Sequence, residues 1–447
     1  MMANKQDILR SGFIPSLICA LSLLFISPAP FPRDATPSSL PEIRVRLVDG
    51  ANLKRRIANA TVVIGHSDGS VFSVGKTGEN GEITFNYPPV NATITAALSY
   101  RDYADGHTLK QSVEVYYDVT VPALTIPMDT GRGPLAGTVT LQVGNVLPGV
   151  TICQVQYGGS RQDIPITGGR GSAVLDVYRE DFQNDGKLLF MLWGMDADNN
   201  LLGYGTVPDQ AFITGMTIQA AISRKDFGSY TFDLLHIPDT AKAYLRSIIY
   251  ERKGIYHYSD RKSPSTIVAN PIPASLNVQT IPDAGESYCH LVELYLDSGH
   301  DGSLKSLMQM KKIQPRPSNQ HFDFLQTPAV PYNLKVTASG TARPSFSWEG
   351  RHSAADEMYL YFFTDDQKNS YGLHFPPSRS TVTFPQLPDK TDSYRPAKMT
   401  FLDLQLNVDN YDFIEGWRDY LSKIDQFVSG TFSLPLQYNR ETTKTHP

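Results

Sequence analysis

Four short stretches carry residue types that could do chemistry. Gly65-His66-Ser67-Asp68-Gly69 has the G-x-S-x-G spacing of a serine nucleophile and follows an apolar strand pattern, Val62-Val63-Ile64. A nucleophilic serine of this kind needs a sharp strand-to-helix turn, which exposes its oxygen and aims a helix N-terminus at the oxyanion. Ser70-Val71-Phe72-Ser73-Val74-Gly75 continues instead as a strand, so the sequence predicts an Asp68-Gly69 hairpin turn and no catalytic role for Ser67. Asp196, Asp198 and Asn200 begin like a calcium loop, but the sixth position is Leu201 where glycine is needed, and the twelfth is Val207 where glutamate is needed. A weak surface site using loop carboxylates is what remains of that pattern. His290, Glu293 and His300 cluster in sequence, yet on a strand His290 and Glu293 point to opposite faces. Tyr359, Tyr361 and Phe363 alternate with Leu360 and Phe362. Either one aromatic set is exposed and stacks on a sugar or a partner, or the strand is buried on both faces. No cysteine–histidine spacing suggests zinc, and no glycine-rich loop follows a strand and opens a helix. No catalytic, cofactor-binding or metal-ligating residue is assigned, no cofactor is implied, and the chain is not expected to be an enzyme.

The elements that would have to position such residues are strands. The 447 residues include 41% hydrophobic and only 19% charged, a balance that buries cores instead of forming disordered tails. At about 150 residues per domain the length predicts roughly three domains. Forty Lys and Arg against 45 Asp and Glu leave a net charge of −5, which gives no basic field for nucleic acid. Thirty-three glycines, 31 prolines and 23 tyrosines suit short strands joined by many turns.

Residues 1–29 read as a signal peptide. Lys5 and Arg10 precede an apolar run from Phe13 to Ile26, and Ser27-Pro28-Ala29-Pro30 closes it. The competing reading is a retained anchor helix, which Pro15 and Pro28 shorten. After cleavage no span would remain. Cys153 and Cys289 would then be the cysteines of the exported chain, too few for a disulfide framework; they are expected as buried thiols in strands, with a single bridge between them as the alternative. Residues 30–41, rich in Pro, Ser and Ala, form a linker. Asn59-Ala60-Thr61 and Asn91-Ala92-Thr93 have the form of glycosylation acceptors, which matters only in a eukaryotic host.

From Glu42 the period is two. Ile43, Val45 and Leu47 alternate with Arg44 and Arg46, and further strand patterns follow to Val121 with Asp-Gly and Asn-Gly turns between them. About seven strands make a small sandwich over 42–129. Within it, Thr77-Gly78-Glu79-Asn80-Gly81-Glu82-Ile83-Thr84-Phe85 resembles the "T-D-x-x-G-x-[FY]-x-F" hairpin of carboxypeptidase-regulatory-like, transthyretin-type domains, with Gly78 in place of the usual Asp. The resemblance implies a non-catalytic appendage of an exported protein. A second unit spans 130–225. Its Asp185-Gly186-Lys187, the apolar run to Gly194, and Asp196 to Asn200 resemble the late hairpin of bacterial immunoglobulin-like domains. A third β-rich unit spans 226–326. Residues 243–258 there fit a helix through Tyr244, Leu245, Ile248 and Ile249, but a hairpin turning at Lys253-Gly254 is favoured. The fourth unit, 327–440, resembles a fibronectin type III domain through Pro331-Tyr332-Asn333-Leu334-Lys335-Val336 and Pro344-Ser345-Phe346-Ser347-Trp348. That resemblance implies that Trp348 is the core tryptophan, expected as the unit's most buried aromatic. It also implies that Tyr394 hydrogen-bonds nearby backbone. With its own tryptophan and its own strands, this unit is expected to fold alone. Phe413, Trp417, Tyr420, Leu421, Ile424 and Val428 share one helical face behind a cap at Asp412, predicting one short helix. Residues 441–447 form a tail.

The expected fold class is all-β, with three or four immunoglobulin-like or fibronectin-like sandwich domains in series and one short C-terminal helix. The expected function is that of a non-catalytic, exported structural or interaction protein, secreted, periplasmic or on the cell surface. Its partner would be a protein or a carbohydrate. The alternative is a carbohydrate- or ligand-binding module using exposed aromatics, and last comes a hydrolase using Ser67.

Overall fold

The computed structural model describes residues 40–445 except 51–54, 103–107, 132, 159, 184, 253–254, 261–271, 281, 283–286, 297–303, 314–319, 327–329, 338–340, 351, 353–354, 364–368, 389–393, 395, 397–403, 412–413 and 430–436. The signal segment, nearly all of the linker, His300, Asp412 and Phe413 lie outside the described residues.

The protein is all-β, with several separate sheets and the single α-helix Trp417–Ser429 among the described residues. That helix is shorter than a membrane span, and no described helix is long and apolar enough to cross one. Seven strands run from Glu42 to Met128. Glu42–Asp49 lies between Glu82–Asn86, antiparallel, and Ala123–Met128, parallel. Ile43, Val45 and Leu47 are fully buried while Glu42 and Arg44 are exposed, so the alternation sets which face enters the core. Thr61–Gly65, Val71–Lys76, Ala92–Asp102 and Thr108–Val119 form the facing layer.

The Thr77–Glu82 segment is not the turn of a hairpin. The strand before it pairs with Thr61–Gly65, and the strand after it pairs with Glu42–Arg46 of the other sheet. The buried Thr77 hydroxyl explains the crossing: it donates to the Ile57 carbonyl (2.8 Å) and accepts from the Ala60 amide (3.1 Å). The Leu47 amide donates to the Gly81 carbonyl at 2.9 Å, so the corner is fixed to both sheets. Gly81 sits at φ 73°, where a Cβ would meet the Leu47 carbonyl oxygen at 2.9 Å.

The second unit packs a four-stranded sheet, built on Ile152–Tyr157 and Lys187–Met195, over a three-stranded one built on Leu135–Val146. Lys187–Met195 and Leu201–Ala211 pair as an antiparallel hairpin. In the third unit, Ala241–Arg252 and Ile255–Asp260 are antiparallel strands, so 243–258 is a hairpin. The β-branched and aromatic content of Ile248-Ile249-Tyr250 and Ile255-Tyr256 decides against the helix there.

One sheet runs through three of the units, and it takes in Gln437–Thr445 between two other strands, so residues 441–445 are strand and not tail. Its twelve strands lie in the order Ile255–Asp260, Ala241–Arg252, Ser287–Leu296, Leu304–Ile313, Gln437–Thr445, Leu404–Tyr411, Glu357–Phe363, Asn369–Phe375, Thr108–Val119, Ala92–Asp102, Thr61–Gly65, Val71–Lys76. The seam between the last unit and the first is a parallel pairing of Asn369–His374 with Gln111–Tyr116. The last unit's core is therefore shared. Phe346, Trp348, Phe362, Leu373 and Phe375 pack with Val63, Ala97, Val113, Val115 and Tyr117 of the first. Trp348 is 4% exposed, whereas Phe362, Tyr371, Phe375 and Phe384 are 0% exposed, so it is not the most buried aromatic of its unit. The Tyr394 hydroxyl accepts from Ser99 Oγ at 3.1 Å, 295 residues away; the backbone at 389–393, 395 and 397–403, where the expected bond would be made, lies outside the described residues.

The helix completes the exchange. Trp417, Tyr420, Leu421 and Ile424, spaced i, i+3, i+4 and i+7, join the first unit's core against Ala123–Met128. Asp356 fixes its entry by accepting from the Tyr411 amide (2.8 Å) and the Gly416 amide (2.6 Å).

Candidate functional site

Ser67 is exposed at the tip of the turn joining Thr61–Gly65 to Val71–Lys76, and no helix follows it. The Gly69 amide closes the turn on the His66 carbonyl (2.9 Å), and Asp68 Oδ1 accepts from both the amide and hydroxyl of Ser70. These bonds hold the Asp68 carboxyl below its ordinary range. Asp196 is used in a similar way. It accepts from the Asp198 amide (2.9 Å), the Asn200 amide (2.7 Å) and Asn200 Nδ2 (2.9 Å), closing the hairpin loop with Asn199 at φ 61°.

His290 is 1% exposed and packs on Phe232 with ring centroids 4.5 Å apart, while Glu293 is half-buried and accepts from the Tyr295 hydroxyl. The two are not brought together. Cys153 is buried, and burial pushes its thiol up to about 12, which leaves it unreactive at neutral pH. The Cys289 side chain lies outside the described residues. Asn59 and Asn91 both occupy left-handed turns, at φ 61° and 52°.

Tyr359, Tyr361 and Phe363 are half-buried, while Met358, Leu360 and Phe362 face the shared core. The aromatic set packs on itself, Tyr361 on Tyr359 at 5.7 Å and on Phe363 at 4.8 Å, instead of standing as an open platform. It leads to a buried polar cluster. The His374 ring is stacked between Tyr116 (4.2 Å) and Tyr359 (4.4 Å). Its Nδ1 bonds Glu357 Oε1, and its Nε2 bonds Glu114 Oε2 at 3.1 Å. The three side chains are 13%, 3% and 11% exposed, so both ion pairs are shielded from water. Gly372 makes room, since a Cβ there would run into the Glu114 carboxylate. Tyr411 donates its hydroxyl to the other Glu357 oxygen at 3.3 Å.

Burial alone would lower the His374 pKa. The charge of Glu357 and hydrogen bonds to both carboxylates outweigh it and raise the ring to about 9. Burial raises Glu114 against the pull of His374. Burial, and after it the nearby carboxylates, push the Tyr116 and Tyr420 phenols well above their ordinary value. The ring is thus an imidazolium at neutral pH, donating from both nitrogens to carboxylates and facing two tyrosine π-clouds. Both ring nitrogens are engaged by carboxylates.

Around the cluster, the first and last units are joined by further polar contacts. Arg379 grips Asp118 with two parallel bonds of 2.7 and 2.8 Å and lies 5.2 Å from the Tyr117 ring centroid. Tyr117 donates to the Thr383 carbonyl (2.9 Å), and Trp417 Nε1 donates to the Asp118 carbonyl (3.3 Å). The Ser67 turn itself is clamped: Arg343 donates to the Asp68 carbonyl (2.9 Å), and the Gln386 amide donates to the Gly69 carbonyl (2.8 Å).

Glu114, Glu357 and His374 escape a reading for motifs because 260 residues separate Glu114 from its imidazole partner. A signal exists nonetheless. Val113-Glu114-Val115-Tyr116-Tyr117 sets one carboxylate inside an apolar run that must be covered on both faces, and a buried carboxylate needs a partner.

No family model matches the chain, and no curated protein matches it. Among solved structures, it is similar to a shaft pilin, SpaA, of Lactobacillus rhamnosus GG at 8% identity, covering 42% of this chain and 99% of that one, with a TM-score of 0.17. It is similar to the FN1–FN3 domains of chicken CNTN1 at 12% identity, covering 62% and 93%, with a TM-score of 0.14. A streptococcal ancillary pilin aligns at 10% identity over 63% of this chain and 98% of that one, with a TM-score of 0.14. TM-scores this low carry no inference about domain arrangement or activity.

Proposed function

We propose that the chain is a non-catalytic, exported structural and interaction protein of the cell surface or periplasm, built from β-sandwich units at 42–129 and 130–225, a β-rich unit at 226–326, and a last unit from 327 that takes in the strand Gln437–Thr445. One observation carries the reading. The Glu114–His374–Glu357 cluster and the Asp118–Arg379 pair engage their charged groups with one another across a junction between units. Charged side chains that bond each other across a seam hold parts together; catalysis needs groups left available to a substrate. The signal-like segment supplies the export half of the proposal. Its test is cell fractionation with mass spectrometry of the native N-terminus. The expected N-terminus falls between about residues 28 and 36 in an exported fraction, where small-residue cleavage sites lie. Intact Met1 in the cytoplasm overturns export.

A further inference from the structure

We propose that Glu114, His374 and Glu357 form a proton-operated clasp. With the imidazole protonated it holds the first unit's Thr108–Val119 strand to the last unit's Asn369–Phe375 strand, and loss of that proton loosens the seam.

The geometry is that of a two-sided fastener. Glu114 belongs to the first unit, Glu357 and His374 to the last, and the ring stands on one strand of the parallel pair that joins them. Only a ring with protons on both nitrogens can donate to both carboxylates at once. A neutral ring keeps one donor, so one nitrogen then faces a carboxylate lone pair to lone pair. The two carboxylates are left with no cation between them in a site nearly closed to water, where like charges repel strongly. The stacking tyrosines act in the same direction, because their faces attract a cation and not a neutral imidazole.

Among the described residues, no Lys or Arg pairs with Glu114 or Glu357. On its own strand pair the ring faces Glu114 and Tyr116. The neighbouring strand presents Glu357, Tyr359 and, one step further, Tyr361. Tyr411 reaches Glu357 from Leu404–Tyr411, and Tyr420 reaches it from the helix. Asp129, beyond the first unit's last strand, adds negative charge that acts on Glu114. Asp409, in register with Glu357 on Leu404–Tyr411, and Asp356, whose carboxyl Glu357 helps to raise, add further acidic groups. Among these described groups His374 is the cation.

The sign follows from the shifts. His374 binds its proton more tightly in the closed seam than the ordinary value of 6.5, up to about 9. Its contribution is complete below 6.5 and is lost as pH rises through 9. Glu114 is also raised, by burial, so the closed state again holds the proton better and rising pH again opposes closure. His374 makes the seam tighter on the acid side of this window and looser on the alkaline side, and Glu114's shift has the same sign.

Hydrogen exchange on the full chain tests the clasp, with rates corrected for the intrinsic pH dependence of amide exchange. The reporters are amides of residues 111–116 and 369–374. The control is the other parallel ladder, Thr217–Ile222 on Thr140–Val146, which has no part in the cluster. Between pH 6.5 and 9, the opening equilibrium at the seam is expected to rise about a hundredfold relative to the control, since each unit of displaced pKa is worth up to tenfold. Equal change at seam and control overturns the proposal. So does a carbon-13 titration that places the His374 ring at or below 6.5. Glu114→Gln should keep an acceptor for Nε2–H while removing one charge, moving the midpoint of the seam's pH dependence down by about a unit. An unmoved midpoint overturns the two-carboxylate clasp. Should the variant fail to fold, the exchange series and ring titration of the natural chain decide alone.

Discussion

The second unit and the last unit have similar sandwich ingredients and opposite economies. The second unit fills the core between its two sheets from its own segment, from Val139 through Ile222, with Leu141, Val155, Phe190 and Leu192 fully buried, while the other face of its Lys187–Met195 hairpin, at Leu189, Met191, Trp193 and Tyr204, packs into a core shared with the third unit. The last unit fills its core with residues up to 345 positions apart in the chain, Val63 at one end and Val408 at the other. Alternating strands and a buried tryptophan therefore identify a sandwich but not a folding unit. What decides autonomy is whether both layers come from one stretch of chain. In the second unit they do. In the last, the large layer is completed by Ala92–Asp102 and Thr108–Val119, and the C-terminal helix repays the first unit by entering its core.

The largest effect expected from this contrast is on excised fragments. Residues 130–225 alone should unfold cooperatively in urea when followed by circular dichroism. Residues 328–440 alone should show no cooperative transition. Without Val63, Ala97, Val113, Val115 and Tyr117, the apolar face around Phe362, Leu373 and Phe375 is bare, and a domain has only about 5–15 kcal/mol of stability to lose. A cooperative 328–440 fragment would return this unit to the independent fibronectin-like domain that its sequence resembles.

A smaller and sharper effect should cross the seam within the intact chain. Val113 and Val115 are fully buried in the shared core, on a strand of the first unit. Changing both to Ala removes four methyl groups' worth of packing for two alanines' worth of side chain. At about 0.8 kcal/mol per buried carbon this should cost at least about 3 kcal/mol, before the cavity term is added. The loss should be read by Trp348, which stacks 5.0 Å from Phe375 in that core, although it lies more than 200 residues away in sequence. Unchanged Trp348 emission through the new transition would show that the two units melt separately.

How much of this was legible follows the same line between local and distant. The alternation Ile43, Val45, Leu47 gives a strand and its buried face without any knowledge of its neighbours. The hairpin of Ala241–Arg252 with Ile255–Asp260 and the helical face Trp417, Tyr420, Leu421, Ile424 are also local patterns. Thr77-to-Phe85 was legible as a tight turn but not as a crossing between sheets, because the bonds that make it cross run to Ile57, Ala60 and Leu47. Tyr394 reaching Ser99, and Glu114 reaching His374, depend on a parallel pairing between distant strands. Parallel strands leave no turn signature, since their connection is long and unconstrained by a hairpin.

The smallest effect expected separates the two residues of the G-x-S-x-G stretch that matter differently. Ser67 is exposed at the turn tip, and its neighbours Asp68 and Ser70 make the turn's side-chain bonds without it. Ser67→Ala should shift stability by less than about 0.5 kcal/mol, as exposed turn positions usually do. Two residues on, Gly69 is buried at φ 79° under Pro385 and Arg343, where a Cβ would meet the Pro385 Cα at 3.2 Å. Gly69→Ala should therefore cost about 1–2 kcal/mol, the usual penalty of a side chain in the left-handed region, and loosen the Gln386 contact with it. Thermal unfolding of both variants, with a fluorophosphonate labelling assay on the natural chain, checks the pair. The motif's serine should be silent and its final glycine structural. Covalent labelling of Ser67 would reverse that assignment, because only an activated hydroxyl attacks such a probe.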